Sequence, residues 1–163
     1  MLRISERIIS LWKNTPIDIC GFNDFQKNKL GGIFRASQDL LLGIELRPGA
    51  RILGDSTNWG YRMPVRINAQ GMRENQGYAI PKPKNVVRLA VIGDSVTFGW
   101  GADANGSYPK ILERKLQEFT RRSDANKNVE VMNFGVPGYN GEQKLELLKE
   151  KVLAYNPDLV IMG

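Results

Sequence analysis

A run of apolar, largely β-branched residues that ends abruptly at a serine constrains the fold of this chain more than any other feature. Residues 86–92 read Val-Val-Arg-Leu-Ala-Val-Ile, and Gly93, Asp94 and Ser95 follow directly. Such a run predicts a strand that is buried on both faces of a parallel sheet. The serine hydroxyl is then delivered to the carboxyl edge of that strand, where open α/β sheets bind their ligands.

The second half of the chain alternates between strand-like runs and amphipathic segments. We expect strands at residues 87–92, 129–134 and 159–162, with helices at 107–122, capped by Ser107, and at 142–155. The order β-α-β-α-β predicts a parallel sheet with crossover helices. The side chains expected to face the sheet are Tyr108, Ile111, Leu112, Leu116 and Phe119 of the first helix, and Leu145, Leu148, Val152 and Tyr155 of the second.

The region before this pattern is irregular and is joined to it by a connector. Residues 81–85 read Pro-Lys-Pro-Lys-Asn, which is typical of an extended, exposed link. We therefore divide the chain into an N-terminal segment (1–80), a connector (81–85) and the first part of an α/β domain (86–163). In the N-terminal segment we expect short extended pieces and one short helix at 4–13. Because the third strand closes the sequence where a loop should begin, we interpret the domain as a fragment, incomplete at its C-terminus.

Composition narrows the function classes. The chain has 163 residues, of which 42% are hydrophobic and 25% are charged, as in ordinary soluble domains. The net charge of +6 is scattered without a dense cluster, so we expect no nucleic-acid partner. No apolar run approaches the ~18 residues that span a bilayer, and no secretory signal is evident, which favours a cytoplasmic location. The chain has one cysteine and no histidine, so we expect no internal disulfide, no metal site and no other cofactor.

Acyl transfer needs a nucleophile, a base and donors aimed at the developing oxyanion. Ser95 is placed to be the nucleophile, and its own N–H is a candidate donor. Gly138 follows the second strand in a turn at the same sheet edge, so its N–H is a second candidate. Spacing alone is equally compatible with two tight turns that bind nothing. We expect Asp94 to hold its turn by Asx-type backbone bonds, and Thr97 and Asn133 to brace the loops.

Three segments resemble the sequence blocks of one enzyme family. Residues 93–99, Gly-Asp-Ser-Val-Thr-Phe-Gly, resemble the first block of the SGNH hydrolases, also called GDSL esterases or lipases. Residues 133–140 resemble the second block, and 156–163 resemble the strand that leads into the third. Residues 67–73 are similar to a short stretch often found upstream in bacterial members. The order and spacing of the blocks make this resemblance more specific than the first motif alone.

The resemblance implies a flavodoxin-like three-layer α/β/α sandwich in which Ser95 is the acyl-accepting nucleophile. It implies that the N–H groups of Ser95 and Gly138 form the oxyanion hole with an Asn of the third block, and that a later Asp-x-x-His block supplies the base. That Asn, Asp and His are absent from this sequence, so we expect the chain as given to be inactive. The implied reaction is hydrolysis of carboxylic esters through an acyl-enzyme, on a small-molecule or carbohydrate ester.

Other functions remain open at this point. An O-acyltransferase would use the same acyl-enzyme with a sugar hydroxyl in place of water, and a non-catalytic remnant would only bind. A nucleotide-binding module is disfavoured because Ala104 occupies the last glycine position of a G-x-G-x-x-G pattern and no phosphate loop is present. A second Gly-Asp-Ser, at residues 54–56, lacks the long strand and the following helix, so we interpret it as coincidental.

Overall fold

The computed structural model describes residues 32–52, 64–124 and 126–163. The strands are β1 (Phe34–Ala36), β2 (Ile44–Leu46), β3 (Arg51–Ile52), β4 (Val65–Arg66), β5 (Val86–Gly93), β6 (Asn128–Gly135) and β7 (Leu159–Met162). The α-helices are α1 (Ser95–Phe98), α2 (Tyr108–Ser123) and α3 (Gly141–Glu150), with 3₁₀ turns at Ala104–Gly106 and Val152–Tyr155. The predicted helix at 4–13 and the second Gly-Asp-Ser lie outside the described residues.

The main sheet is parallel and has the strand order β6-β5-β7, which confirms the predicted α/β class and the three predicted strands. Side chains alternate between its two faces, as strand geometry requires. On one face, Leu89, Val91 and Val131 pack with residues of α2, and on the other, Ile92 and Met132 pack with residues of α3 and its 3₁₀ turn. Helices on both faces of a parallel sheet are the arrangement of a flavodoxin-like fold.

The N-terminal segment contributes to the same core. Strands β1 and β2 form one antiparallel pair and β3 and β4 form another. Buried residues of this segment, including Ile33, Leu42, Ile67 and Met72, belong to the cluster on the α3 face of the main sheet. The described part of the N-terminal segment therefore packs directly against the domain that carries the predicted site.

The helix faces differ from the sequence prediction. In α2, Leu112 and Leu116 pack against the sheet as expected, but Tyr108, Ile111 and Phe119 are exposed. In the second helix the predicted inward Leu145 is 47% exposed, whereas Leu147 is buried. That helix also ends at Glu150 and tightens into the 3₁₀ turn, which brings Val152 and Tyr155 into the core as predicted.

The start of α2 also differs from the prediction. Ser107 occupies the N-cap position but makes no capping hydrogen bond, because its hydroxyl donates to the Ala104 carbonyl (2.9 Å). The hydroxyl is thus used to close the preceding 3₁₀ turn. Pro109 is the second residue of the helix, within the first turn, where the missing N–H of proline is tolerated.

Charged side chains replace apolar ones on α2 because this helix covers the outer edge of β6. Glu113 Oε1 accepts from the Val131 N–H (2.9 Å), and Glu74 Oε1 accepts from the Asn133 N–H (3.0 Å). Lys110 Nζ lies 2.8 Å from Glu113 and 2.9 Å from Glu74. Burial raises the pKa of Glu74, and the nearby Lys110 ammonium opposes that shift. These contacts satisfy edge groups that would otherwise be open to pairing.

Among the described residues, no helix is long and apolar enough to cross a membrane.

Candidate active site

The carboxyl ends of β5 and β6 bring the two predicted site loops together. Gly93 pairs with Gly135 in the strand register. The pairing continues past the strands, because the Val136 N–H donates to the Gly93 carbonyl (2.9 Å). Ser95 follows in one loop and Gly138 in the other. The predicted nucleophile and the predicted oxyanion donor therefore start from adjacent positions on one sheet edge.

Two glycines allow α1 to pack against the strand ends at backbone distance. A Cβ added at Gly135 would lie 2.1 Å from the Phe98 nitrogen, and one added at Gly93 would lie 1.9 Å from Thr97 Oγ1. Any larger residue would push the helix away from the sheet. This close fit holds Ser95, the first residue of α1, against the sheet edge, where it is partly exposed.

Asp94 closes the turn that presents Ser95. Its Oδ1 accepts from the Val96 N–H (2.9 Å), an Asx-type contact that caps α1. Its Oδ2 lies 3.3 Å from Lys144 Nζ, and the same lysine donates to the Gly163 carbonyl (2.7 Å). The Val96 backbone hydrogen bond, aided by Lys144, holds the pKa of the Asp94 carboxyl below its usual range. Asp94 is therefore ionised and engaged by two donors.

Thr97 and Asn133 are buried and are bonded to the two loops. Thr97 Oγ1 lies 2.8 Å from the Tyr108 hydroxyl, which links α1 to the start of α2. Asn133 Oδ1 accepts from the Gly135 N–H (2.9 Å) at the end of β6. These contacts are of the kind that loop support requires.

Gly138 lies at the exposed tip of the turn after β6. The Tyr139 N–H donates to the Val136 carbonyl (3.2 Å), and Gly138 has a φ of 87°. Glycine is required there by this left-handed backbone and not by crowding, because a Cβ at Gly138 would meet nothing within 4 Å. A ligand therefore has room beside this residue.

The N-terminal segment contacts both loops, which the sequence did not predict. The Tyr139 hydroxyl donates to the Ile44 carbonyl, and Gln143 Nε2 donates to the Leu42 carbonyl (2.8 Å). Arg73 donates to backbone carbonyls at the last residue of α1 and just after it. Such long-range contacts leave no periodic signal in a sequence. For Arg73, the family-like stretch at 67–73 was the available hint.

Lys144 was also missed. In the sequence it is one of several charged residues in α3, directly before Leu145, and nothing in the periodicity distinguishes it from the others. Only the fold shows that it reaches Asp94 and the end of β7.

A group of carboxylates lies elsewhere in the described part of the chain. Oxygens of Asp39, Glu146 and Glu150 lie within 4.8 Å of one another. Asp39 Oδ1 already accepts from the Leu41 N–H (2.7 Å), and exposed acidic groups of this kind are common without an ion. None of the three residues belongs to the loops that follow β5 and β6, so they form no part of the candidate site.

Comparison with known families agrees with this geometry. Residues 91–163 match the model of the GDSL-like Lipase/Acylhydrolase family. The match begins inside β5 and includes both site loops, so the resemblance predicted from the motifs is confirmed for this region. At the family level the activity is ester hydrolysis. No curated protein matches the chain.

Proposed function

We propose that the site at the carboxyl edge of the sheet hydrolyses carboxylic esters through an acyl-enzyme on Ser95. The observation that carries this proposal is the placement of Ser95 at the start of α1, next to the Gly138 turn. The Val136–Gly93 hydrogen bond joins the two loops that hold these residues. A small-molecule or carbohydrate ester is the proposed substrate.

In this mechanism, Ser95 Oγ bonds to the ester carbonyl carbon while its proton passes to a base. The N–H groups of Ser95 and Gly138 donate to the oxygen that becomes negative. Collapse of this intermediate breaks the bond to the alcohol, which leaves with a proton. Water then attacks the acyl group and releases the acid, and the serine regains its proton.

The base is the part of the mechanism that this sequence does not provide. The chain contains no histidine. Asp94 is next to Ser95, but the hydrogen bonds from Val96 and Lys144 that lower its pKa also make it a weak base. We therefore expect no ester turnover by the 163-residue chain alone, and a base supplied from solution should restore reactivity at Ser95.

Labelling with a fluorophosphonate tests this proposal. In the reaction, Ser95 Oγ bonds to phosphorus, fluoride leaves, and added imidazole takes the proton. Mass spectrometry of the digested chain should find the adduct on the peptide that contains Ser95, at a rate that rises with imidazole concentration. Ser95→Ala should abolish that adduct.

The second Gly-Asp-Ser supplies a matched control. Ser56→Ala should leave labelling unchanged, because the proposal gives no role to that serine. An adduct on Ser56, or none on Ser95 at any imidazole concentration, would contradict the proposed function and favour a site that only binds.

A further inference from the structure

The Arg73 side chain makes several contacts at the C-terminal end of α1, the helix that begins with Ser95. This side chain is buried, with 1% exposed. Nη1 donates to the carbonyls of Phe98 (2.8 Å) and Gly99, and Nη2 donates to the carbonyl of Ala102. The guanidinium carbon also lies 4.7 Å from the centre of the Phe98 ring. The planar, multiply donating guanidinium is suited to holding several carbonyls at once.

Gly99, one of the residues that Arg73 binds, also closes the turn on Ser95, together with the next residue, Trp100. The Ser95 carbonyl accepts from the Gly99 N–H (3.1 Å) and from the Trp100 N–H (2.9 Å). Helix α1 has only four residues, and so short a helix has little stability of its own. Its geometry therefore depends on contacts from outside the helix.

The backbone at Gly99 is shaped to admit the arginine. Gly99 has a φ of 82°, and a Cβ there would lie 2.9 Å from Arg73 Nη1 and 2.6 Å from Ser107 Cβ. The chain thus turns away from α1 at the point where Arg73 enters. Asp94 caps the first turn of α1 and Arg73 binds the carbonyls at its last turn, so the helix is held at both ends.

We propose that Arg73 is a positioning residue for the acylation of Ser95. It does not touch the ester; it fixes the backbone of residues 95–99 so that the hydroxyl and the N–H of Ser95 keep their orientation toward the substrate. This inference rests on the proposed function, because it assigns Arg73 an effect on the reactivity of Ser95. A shift of about 1 Å in such a scaffold changes rates by up to about 100-fold.

The experiment compares Arg73 with a second buried arginine. Arg88 has 0% exposure and donates to the carbonyls of Ala79 (3.1 Å) and Tyr155 (2.8 Å), away from the site loops. The variants are Arg73→Met, Arg73→Lys and, as the matched control, Arg88→Lys. For each full chain, fluorophosphonate labelling at a fixed imidazole concentration gives kinact and KI, and thermal unfolding gives Tm.

We expect all three variants to lower Tm, because each removes hydrogen bonds to buried carbonyls. Only the Arg73 variants should lower kinact, by about 10- to 100-fold for Arg73→Met, with KI nearly unchanged. Arg73→Lys should recover part of kinact, since an ammonium keeps the charge but has one nitrogen in place of the two from which Arg73 donates. If Arg73→Met does not fold, Arg73→Lys against Arg88→Lys decides the question.

Three results would overturn the proposal, and they separate the positioning role from the proposed function. Labelling of the wild-type chain with equal kinact in the Arg73 variants, or an equal fall in Arg88→Lys, would remove the positioning role and leave the proposed function intact. No labelling of the wild-type chain would remove both.

Discussion

The two ends of the central strand β5 are held by different kinds of contact. Toward the amino end, Arg88 forms a salt bridge with Glu130 (2.6 Å) and donates to backbone carbonyls. At the carboxyl end, α1 packs so closely on Gly93 and Gly135 that no Cβ fits, with the Thr97 side chain against Gly93 and the Phe98 backbone against Gly135. The amino end is therefore held by charged side chains, and the carboxyl end by close packing that leaves no room for a Cβ. The proposed mechanism needs this edge to offer a hydroxyl and backbone N–H groups to a substrate, and the absence of side chains at the two glycines leaves it less covered.

The largest expected effect is at the carboxyl end. Gly135→Ala places a methyl group 2.1 Å from the Phe98 nitrogen, which is backbone and cannot rotate away. We expect a loss of about 3 kcal/mol or more in the free energy of unfolding, the upper range for overpacking, measured by urea denaturation. Displacement of α1 should also reduce fluorophosphonate labelling of Ser95.

Gly141→Ala is the control for this substitution. A Cβ at Gly141 meets nothing within 4 Å, and the residue begins α3. Alanine there should be neutral or stabilising by up to about 1 kcal/mol. Equal stability of the Gly135 and Gly141 variants would show that the strand end is not tightly packed.

The next effect is at the amino end. Arg88→Met leaves the carbonyls of Ala79 and Tyr155 without their donor and Glu130 without its partner, in a buried position. We expect a loss of about 2–3 kcal/mol in stability, because unsatisfied buried groups keep their desolvation cost. Labelling of Ser95 should remain at the wild-type rate. Slower labelling in this variant would mean that the two ends of β5 are coupled.

A smaller difference in stability is expected between two tyrosines that lie near opposite ends of β5. The Tyr139 hydroxyl donates to the Ile44 carbonyl in the N-terminal segment, whereas the Tyr155 hydroxyl has no hydrogen-bond partner among the residues that the structure describes. Tyr139→Phe should therefore cost about 1 kcal/mol of stability, and Tyr155→Phe should cost less. Thermal unfolding of the two variants side by side measures the difference. Equal costs would indicate that the link between the N-terminal segment and the Gly138 loop adds no stability.

The sequence predicted the sheet well because each main strand is a short run rich in apolar residues, and β5 and β6 are largely buried on both faces. The loops after β5 and β6 were predicted for a similar reason. Glycines at strand ends and an Asx turn at Asp94 are local features with direct geometric consequences.

The helix faces and supporting contacts could not be predicted in the same way. Helical periodicity assumes that apolar residues face the sheet, but α2 lies beside the edge of β6, where Lys110 and Glu113 are buried to bind backbone groups. The contacts of Arg73 and Lys144 join residues far apart in the sequence. Their positions follow from the completed fold and from no local pattern.

The smallest predicted effect is the dependence of stability on pH and salt at the two ends of β5. The hydrogen bond from Lys82 (2.5 Å), with a second from the Arg88 N–H, holds the pKa of Asp158 below its usual range. At the carboxyl end, the backbone hydrogen bond from Val96 is the largest cause of the lowered pKa of Asp94. Because both folded pKa values lie below the unfolded value of about 3.9, each carboxylate stabilises the fold above that pH. Each contribution is lost as the pH falls through the folded pKa.

High salt should reduce the stabilising contributions of Asp158 and Asp94 to different extents. The side chain of Asp158 is 46% exposed, so its contribution should stay below about 1 kcal/mol, and about 1 M salt should screen much of it. The contribution of Asp94 should resist salt, because a backbone N–H is its main partner. The measurement is the stability difference between wild type and Asp158→Ala, and between wild type and Asp94→Ala, at neutral and acid pH in low and high salt. Comparing each variant with the wild type cancels the opposite pH dependence of Glu74, whose pKa is raised. Equal salt sensitivity of the two differences would contradict the contrast between a charge-dependent amino end and a backbone-dependent carboxyl end.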